Sequence, residues 1–176
     1  MRDPGTDVLV TDYFAAPTDA VAATASLQGA GPSVLARGSG RPLFDTVRLP
    51  ALEPFVMLGR VGAALSGRPY AEVTAHPRHG ALVDGTDDGP WVVAVSDRLT
   101  EALATAAPDR LVAVARSWAA RDDGAPPPDR LAPALVALGG LADRARQVRH
   151  ALYCWTSLVP TGAGPPADAV RTGRPA

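Results

Sequence analysis

The apolar and polar positions divide the chain into a first half of strand-like runs and a second half of helical stripes. Val8 to Phe14 reads as a first strand, ended by Ala15-Ala16-Pro17, and Thr18 opens an Ala-rich helix to about Leu27. Gly29 to Arg41 is rich in Gly, Ser and Pro and reads as loop. Phe44 to Leu49 alternates as a short strand. Glu53 to Ser66 then places Leu58, Val61 and Leu65 on one helical face, with Gly67 as its stop. Pro69 to Thr74 adds one more helical turn, closed by His76-Pro77-Arg78-His79-Gly80. The clearest local signal follows. Ala81-Leu82-Val83 and Trp91 to Val95 are apolar runs joined by Asp84-Gly85-Thr86-Asp87-Asp88-Gly89-Pro90, whose Gly and Asp suit tight turns, so the segment predicts a β-hairpin.

The tripeptide Asp-Arg-Leu recurs at Asp97, Asp109 and Asp129, and each copy opens an apolar periodic segment. An Asp at or near a helix start complements the positive end of the helix and accepts its free N–H groups. The stripes Leu99, Ala102, Leu103, Ala106 and Leu111, Val114, Ala115, Trp118 have helical spacing. The last helix is expected from about Asp129 to Trp155, with Leu138, Leu141, Ala145, Val148, Leu152 and Trp155 on one face and Gly139-Gly140 as a kink or close-packing point. The class expected is α+β: short N-terminal strands and a β-hairpin packed on about four to five helices, in a single domain over 1–158. Residues 159–176 are dominated by Pro, Gly and Ala and read as a disordered tail.

Composition changes this picture in one respect. All 17 basic residues are Arg, Lys, Ile and Asn are absent, and Ala occurs 34 times, which points to a very GC-rich genome of actinobacterial type. A net charge of −1 and scattered arginines argue against a polyanion-coating protein. No window approaches the roughly 18 apolar residues of a membrane span. Asp3 and Asp7 before Val8-Leu9-Val10 predict no signal peptide. Cys154 has no second Cys to pair with and reads as a small apolar packing residue in a reducing, cytoplasmic protein.

Pro54-Phe55-Val56-Met57-Leu58-Gly59, Gly67-Arg68-Pro69-Tyr70, Pro77-Arg78-His79-Gly80, Val95-Ser96-Asp97 and Leu152-Tyr153-Cys154-Trp155 carry a resemblance. Over Phe44 to Trp155 the chain resembles a family of small actinobacterial proteins with no assigned activity. The resemblance implies no catalytic residues. The family pattern places an acid where this chain has His76, so His76 is set aside as a basis for mechanism.

Several candidate chemistries fail on their own terms. His76 and His79 with Asp84, Asp87 and Asp88 have neither the helical spacing nor the Cys ligands of a transition-metal site, and no metal is expected. Asp84 to Gly89 imitates the start of a calcium loop, but the closing acidic position is Val95. Gly38-Ser39-Gly40 lacks the Lys of a phosphate loop, and no G-x-S-x-G elbow occurs. No cofactor is implied. The first expectation is therefore a non-catalytic module binding a partner protein or a small ligand through Tyr13, Tyr70, Tyr153 and Trp155, aromatics with polar tips. The alternative is a small hydrolase or transferase with His79 as general base and Asp84 or Asp97 orienting it. A third reading is a nucleic-acid regulator acting through Arg144, Arg146 and Arg149.

Overall fold

A computed structural model of the chain describes residues 7–28, 31–49, 52–121 and 126–160. Strand β1 (Asp7–Ala16) leads into helix α1 (Asp19–Ala23), which starts where the Thr18 hydroxyl accepts the Val21 N–H at 3.2 Å. The helix tightens into a 3-10 turn over Thr24–Leu27, so the predicted Ala-rich helix is there but short. Strand β2 (Asp45–Arg48) follows, and then α2 (Val56–Ser66). Phe55 offers α2 no side-chain cap; the Glu53 carboxylate instead accepts the N–H groups of Phe55, at 2.9 Å, and of Met57. Gly67, at φ 68°, ends the helix in the left-handed conformation that glycine tolerates without penalty. Helix α3 (Tyr70–Thr74) and the antiparallel hairpin of β3 (Leu82–Gly85) and β4 (Trp91–Ala94) sit where the pattern places them.

Helices α4 (Asp97–Thr105), α5 (Pro108–Ala119) and α6 (Pro128–Gln147) carry the three Asp-Arg-Leu openings. None of those aspartates is the cap. Ser96 caps α4 by accepting the Leu99 N–H, and Pro108 and Pro128 hold first-turn positions where a missing N–H costs nothing. Asp97, Asp109 and Asp129 lie in the first turns and act through the helix dipole.

The expected helix from Asp129 to Trp155 is too long. It stops at Gln147, and Leu152 to Trp155 belong to strand β5 (Ala151–Pro160). The stop is a Schellman closure: the Arg149 N–H bonds the Arg146 carbonyl at 3.1 Å and the His150 N–H bonds the Ala145 carbonyl at 2.8 Å. Arg149 occupies the left-handed position of that closure, φ 58°, where glycine is the usual residue. Strand β5 also takes in Val159 and Pro160, which the pattern assigns to the tail; the remainder of that tail lies outside the described residues.

The described strands form one antiparallel sheet in the order β2-β1-β5-β4-β3. Strand β5 lies between β1, with which it pairs from Asp7↔Pro160 to Ala16↔Ala151, and β4, from Trp91↔Thr156 to Ala94↔Tyr153. Its side chains alternate between two cores. Leu152 and Cys154 join Tyr13, Ala15, Val93 and Val95 under α2, α4, α5 and α6. Tyr153 and Trp155 join Phe14, Ala16, Val92 and Ala94 on the opposite face, covered by Ala22, Ala25 and Phe44. Each of the fully buried leucines in the helical layer contributes roughly 1.5–3 kcal/mol. Gly139 is a close-packing point, since a Cβ there would lie 2.7 Å from Leu111 Cδ1. The fold is thus α+β in one domain, with a helical layer on one face of the sheet and a thin cover on the other.

The α6 closure yields a stability test. Arg149→Gly relieves the left-handed strain and is expected to raise stability by about 1 kcal/mol, whereas Arg149→Ala is not. Urea denaturation of the two variants separates these outcomes, and equal midpoints would remove the strain argument.

Candidate functional site

One turn, His76 to Gly80, joins α3 to the hairpin and sends three side chains in three directions. Its backbone is held by the His79 N–H on the His76 carbonyl at 2.9 Å and by the Gly80 N–H on the Ala94 carbonyl at 3.1 Å. Gly80, at φ 64°, lies against the Phe55 ring, where a Cβ would come within 2.7 Å of Cδ1. The turn is thereby fixed to the start of α2.

Arg78 reaches across to the thin cover of the sheet. Its guanidinium donates two bonds to Asp19, at 3.0 and 2.9 Å, and its Nε lies 3.9 Å from Asp97. It also stands 5.9 Å from the centre of the Tyr153 ring, and the Tyr153 hydroxyl donates to Asp19 at 2.7 Å. The bonds from Arg78, then that from Tyr153, hold the Asp19 carboxyl below its ordinary range. Burial, together with the bond to Asp19, pushes the Tyr153 phenol up to about 12. Asp19 in turn raises the Arg78 guanidinium. This trio ties α1, the turn and β5 together.

His79 makes a structural bond. Its Nε2 lies 2.9 Å from the Phe55 carbonyl oxygen, a contact in which that nitrogen carries the proton. Asp84 accepts from the Ser26 hydroxyl on the thin cover, and Asp97 faces Arg78. The proposed base and its two orienting acids therefore have separate partners.

His76 points elsewhere. Its Nδ1 accepts the Arg78 N–H at 3.2 Å, which in the neutral ring leaves Nε2–H as a donor. It lines a cleft of about 610 Å³ between α2, α3 and α4. Gly62, Val73, Leu99 and Ala102 give the cleft an apolar lining. Gly62 makes room for this arrangement, since a Cβ there would meet Val73 Cγ1 at 2.8 Å. Arg68, Glu72, Asp97, Arg98 and Glu101 supply charge of both signs, with Arg68 and Glu72 paired across one turn. In the sequence His76 is set aside because the resembled family places an acid at that position. Only the packing of α3 and α4 on α2 brings it to the cleft.

The aromatic candidates scatter. Tyr13 is wholly buried and donates to the Leu52 carbonyl at 2.8 Å; burial pushes its phenol well up, and burial does the same to the Cys154 thiol. A thiol so held is inert rather than nucleophilic. Trp155 is 6% exposed in the thin-cover core, and its buried indole nitrogen has no hydrogen-bond partner among the described residues. Tyr70 is exposed, on the far side of α2 from the cleft. The basic cluster is divided as well. Arg144 pairs with Asp45 at 2.7 and 3.0 Å, Arg146 lies near Glu101 and Asp143, and Arg149 falls beyond the helix.

Among the described residues no three His, Cys, Asp or Glu side chains gather to hold a metal ion, and no helix is long and apolar enough to cross a membrane. Comparison with protein-family models, curated proteins and solved structures gave no match for this chain.

The Asp19 trio has a definite pH signature. Asp19 has a lowered folded pKa, so its stabilisation is present above the unfolded value near 4 and is lost as pH falls through the folded value. Asp19 is half exposed, so the contribution is expected to be about 1 kcal/mol or less. Tyr153 has the opposite sign: its contribution is complete below about 10 and disappears as pH rises through about 12. Asp19→Asn should flatten the acid limb of the stability profile, and Tyr153→Phe should cost about 1 kcal/mol near neutrality. Unchanged acid limbs in thermal melts of Asp19→Asn would show that the trio is not coupled to folding.

Proposed function

We propose that the chain is a non-catalytic binding module that holds a small organic ligand in the cleft between α2, α3 and α4. The observation that carries this reading is the cleft itself. Its volume of about 610 Å³ falls in the range of small-molecule sites, and an apolar lining with a few convergent polar groups is their usual composition. His76 supplies an N–H donor, Arg68 and Arg98 supply cationic donors, and Glu72, Asp97 and Glu101 supply acceptors. A ligand with a compact apolar body and both donor and acceptor groups matches that set. The reading requires no cofactor. Binding rather than turnover is supported by the side chains most suited to attack or proton transfer: the Cys154 thiol is buried, and His79 is committed to a backbone carbonyl. A cytoplasmic setting and membership of the small actinobacterial family belong to the same proposal.

A screen of small fragments by protein-observed NMR tests it. Hits are expected to shift the amides of Gly62, Val73, His76, Leu99 and Ala102. Ala102→Trp, which fills the cleft from α4, should weaken them at least tenfold, about 1.4 kcal/mol. Hits that map elsewhere and ignore Ala102→Trp, or a hit that the protein chemically converts, would overturn the reading.

A further inference from the structure

The donors and acceptors that line the cleft are unequally occupied. Glu72 accepts the Arg68 guanidinium. Asp97 has Arg78 Nε at 3.9 Å and Glu101 has Arg146 Nη1 at 3.8 Å, both cations standing outside the lining. The Ser66 hydroxyl donates to the Gly62 carbonyl at 2.6 Å, and Ser96 Oγ accepts the Leu99 N–H at 3.3 Å. Arg98 differs. It is exposed in the first turn of α4, and its guanidinium has no ion pair or hydrogen bond among the described residues, although Asp97 and Glu101 lie on the same helix. His76 keeps a second open donor, Nε2–H, because its Nδ1 already accepts the Arg78 N–H. Every carboxylate of the lining thus has a guanidinium beside it, while one guanidinium and one imidazole N–H remain open.

From this imbalance, and resting on the small-ligand reading above, we infer that the ligand of the cleft is a small apolar carboxylic acid, bound as its anion with the carboxylate on Arg98. A guanidinium fork receives the two oxygens of a carboxylate through parallel bonds. Arg98 and Ala102 are four residues apart on α4, so the open cation and the apolar wall share one face of the helix. Val73 and Leu99 extend that wall and receive the apolar body of the acid. The His76 N–H is left for a second acceptor atom of the ligand. One open cation matches a single negative charge. A phosphate monoester carries roughly −1.5 to −2 near neutrality, and its excess charge would face Glu72, Asp97 and Glu101. An ammonium group would compete with Arg68, Arg78 and Arg146 for those carboxylates and leave Arg98 without an acceptor.

The test compares ligands that share one ring and differ in head group: cyclohexanecarboxylate, cyclohexanecarboxamide and cyclohexylmethylamine. Each is titrated into the full chain at neutral pH and followed by protein-observed NMR. The acid is expected to shift the amides of Val73, Arg98, Leu99 and Ala102 and to bind about tenfold more tightly than the amide. Arg98→Gln should erase that advantage while keeping the affinity for the amide within about twofold. The unfolding midpoint should not move, since the Arg98 side chain is exposed and makes no bond to the described residues. Raising salt should weaken the acid alone. Equal affinities for acid and amide, a preference for the amine, or an advantage that survives Arg98→Gln would overturn the inference and leave the small-ligand reading standing. Silence of all the ligands would overturn it as well, and the broader reading falls with it only when the fragment screen is also silent.

Discussion

The whole structure depends on the last strand occupying the middle of the sheet. Strand β5 completes the hydrogen bonds of β1 along its length and those of β4 on its other edge. Its alternating side chains also supply both cores, Leu152 and Cys154 to one and Tyr153 and Trp155 to the other. Neither face can be packed until residues about 140 positions apart in the chain have met, as the pairing of Tyr13 with Cys154 illustrates. Buried backbone groups must find partners, so a sheet lacking β5 would expose two strand edges where the core now lies.

That central strand explains why the turn from His76 to Gly80 is so well determined. Arg78 reaches Asp19 and the Tyr153 ring, His79 bonds Phe55, and Gly80 packs on the Phe55 ring. Three segments distant in sequence (the start of α2, the turn and β5) are thus joined by charge-assisted bonds and ring contacts. His76 is the remaining side chain of this frame, and it lines the cleft with its Nδ1 already occupied. A rigid turn presenting one oriented donor is suited to reversible recognition, because little side-chain freedom remains to be lost when a ligand arrives.

Helix α2 has a related double role. Gly59 and Gly62 let α3 approach so closely that added Cβ atoms would lie 2.7 Å from Tyr70 and 2.8 Å from Val73. The same approach shapes the cleft on one side, through Val73, and places Tyr70 on the other, beside a second concavity lined by Val56, Ala64 and Val114. Glycines that weaken the intrinsic helicity of α2 are therefore what allow it to separate two concave surfaces.

Local chemistry alone was enough for β1, the hairpin, α2 and the stripes of α4 and α5, because period and turn residues act over a few neighbours. The candidate site was legible only in outline: the turn stood out, but the sequence pointed to His79, and the cleft belongs to His76. The boundary at Gln147 left no local mark, since Arg149 holds a position where glycine would have announced a stop. Leu152, Tyr153, Cys154 and Trp155 continue the helical stripe as readily as they alternate in a strand. Such short apolar runs fit either period, and what decides between them is the pair of open strand edges that only the assembled sheet provides. By itself, then, the amino-acid order determined which residues are apolar and where turns fall. Tertiary structure decided which strand lies at the centre and which histidine reaches a cavity, because both depend on partners far away in the chain.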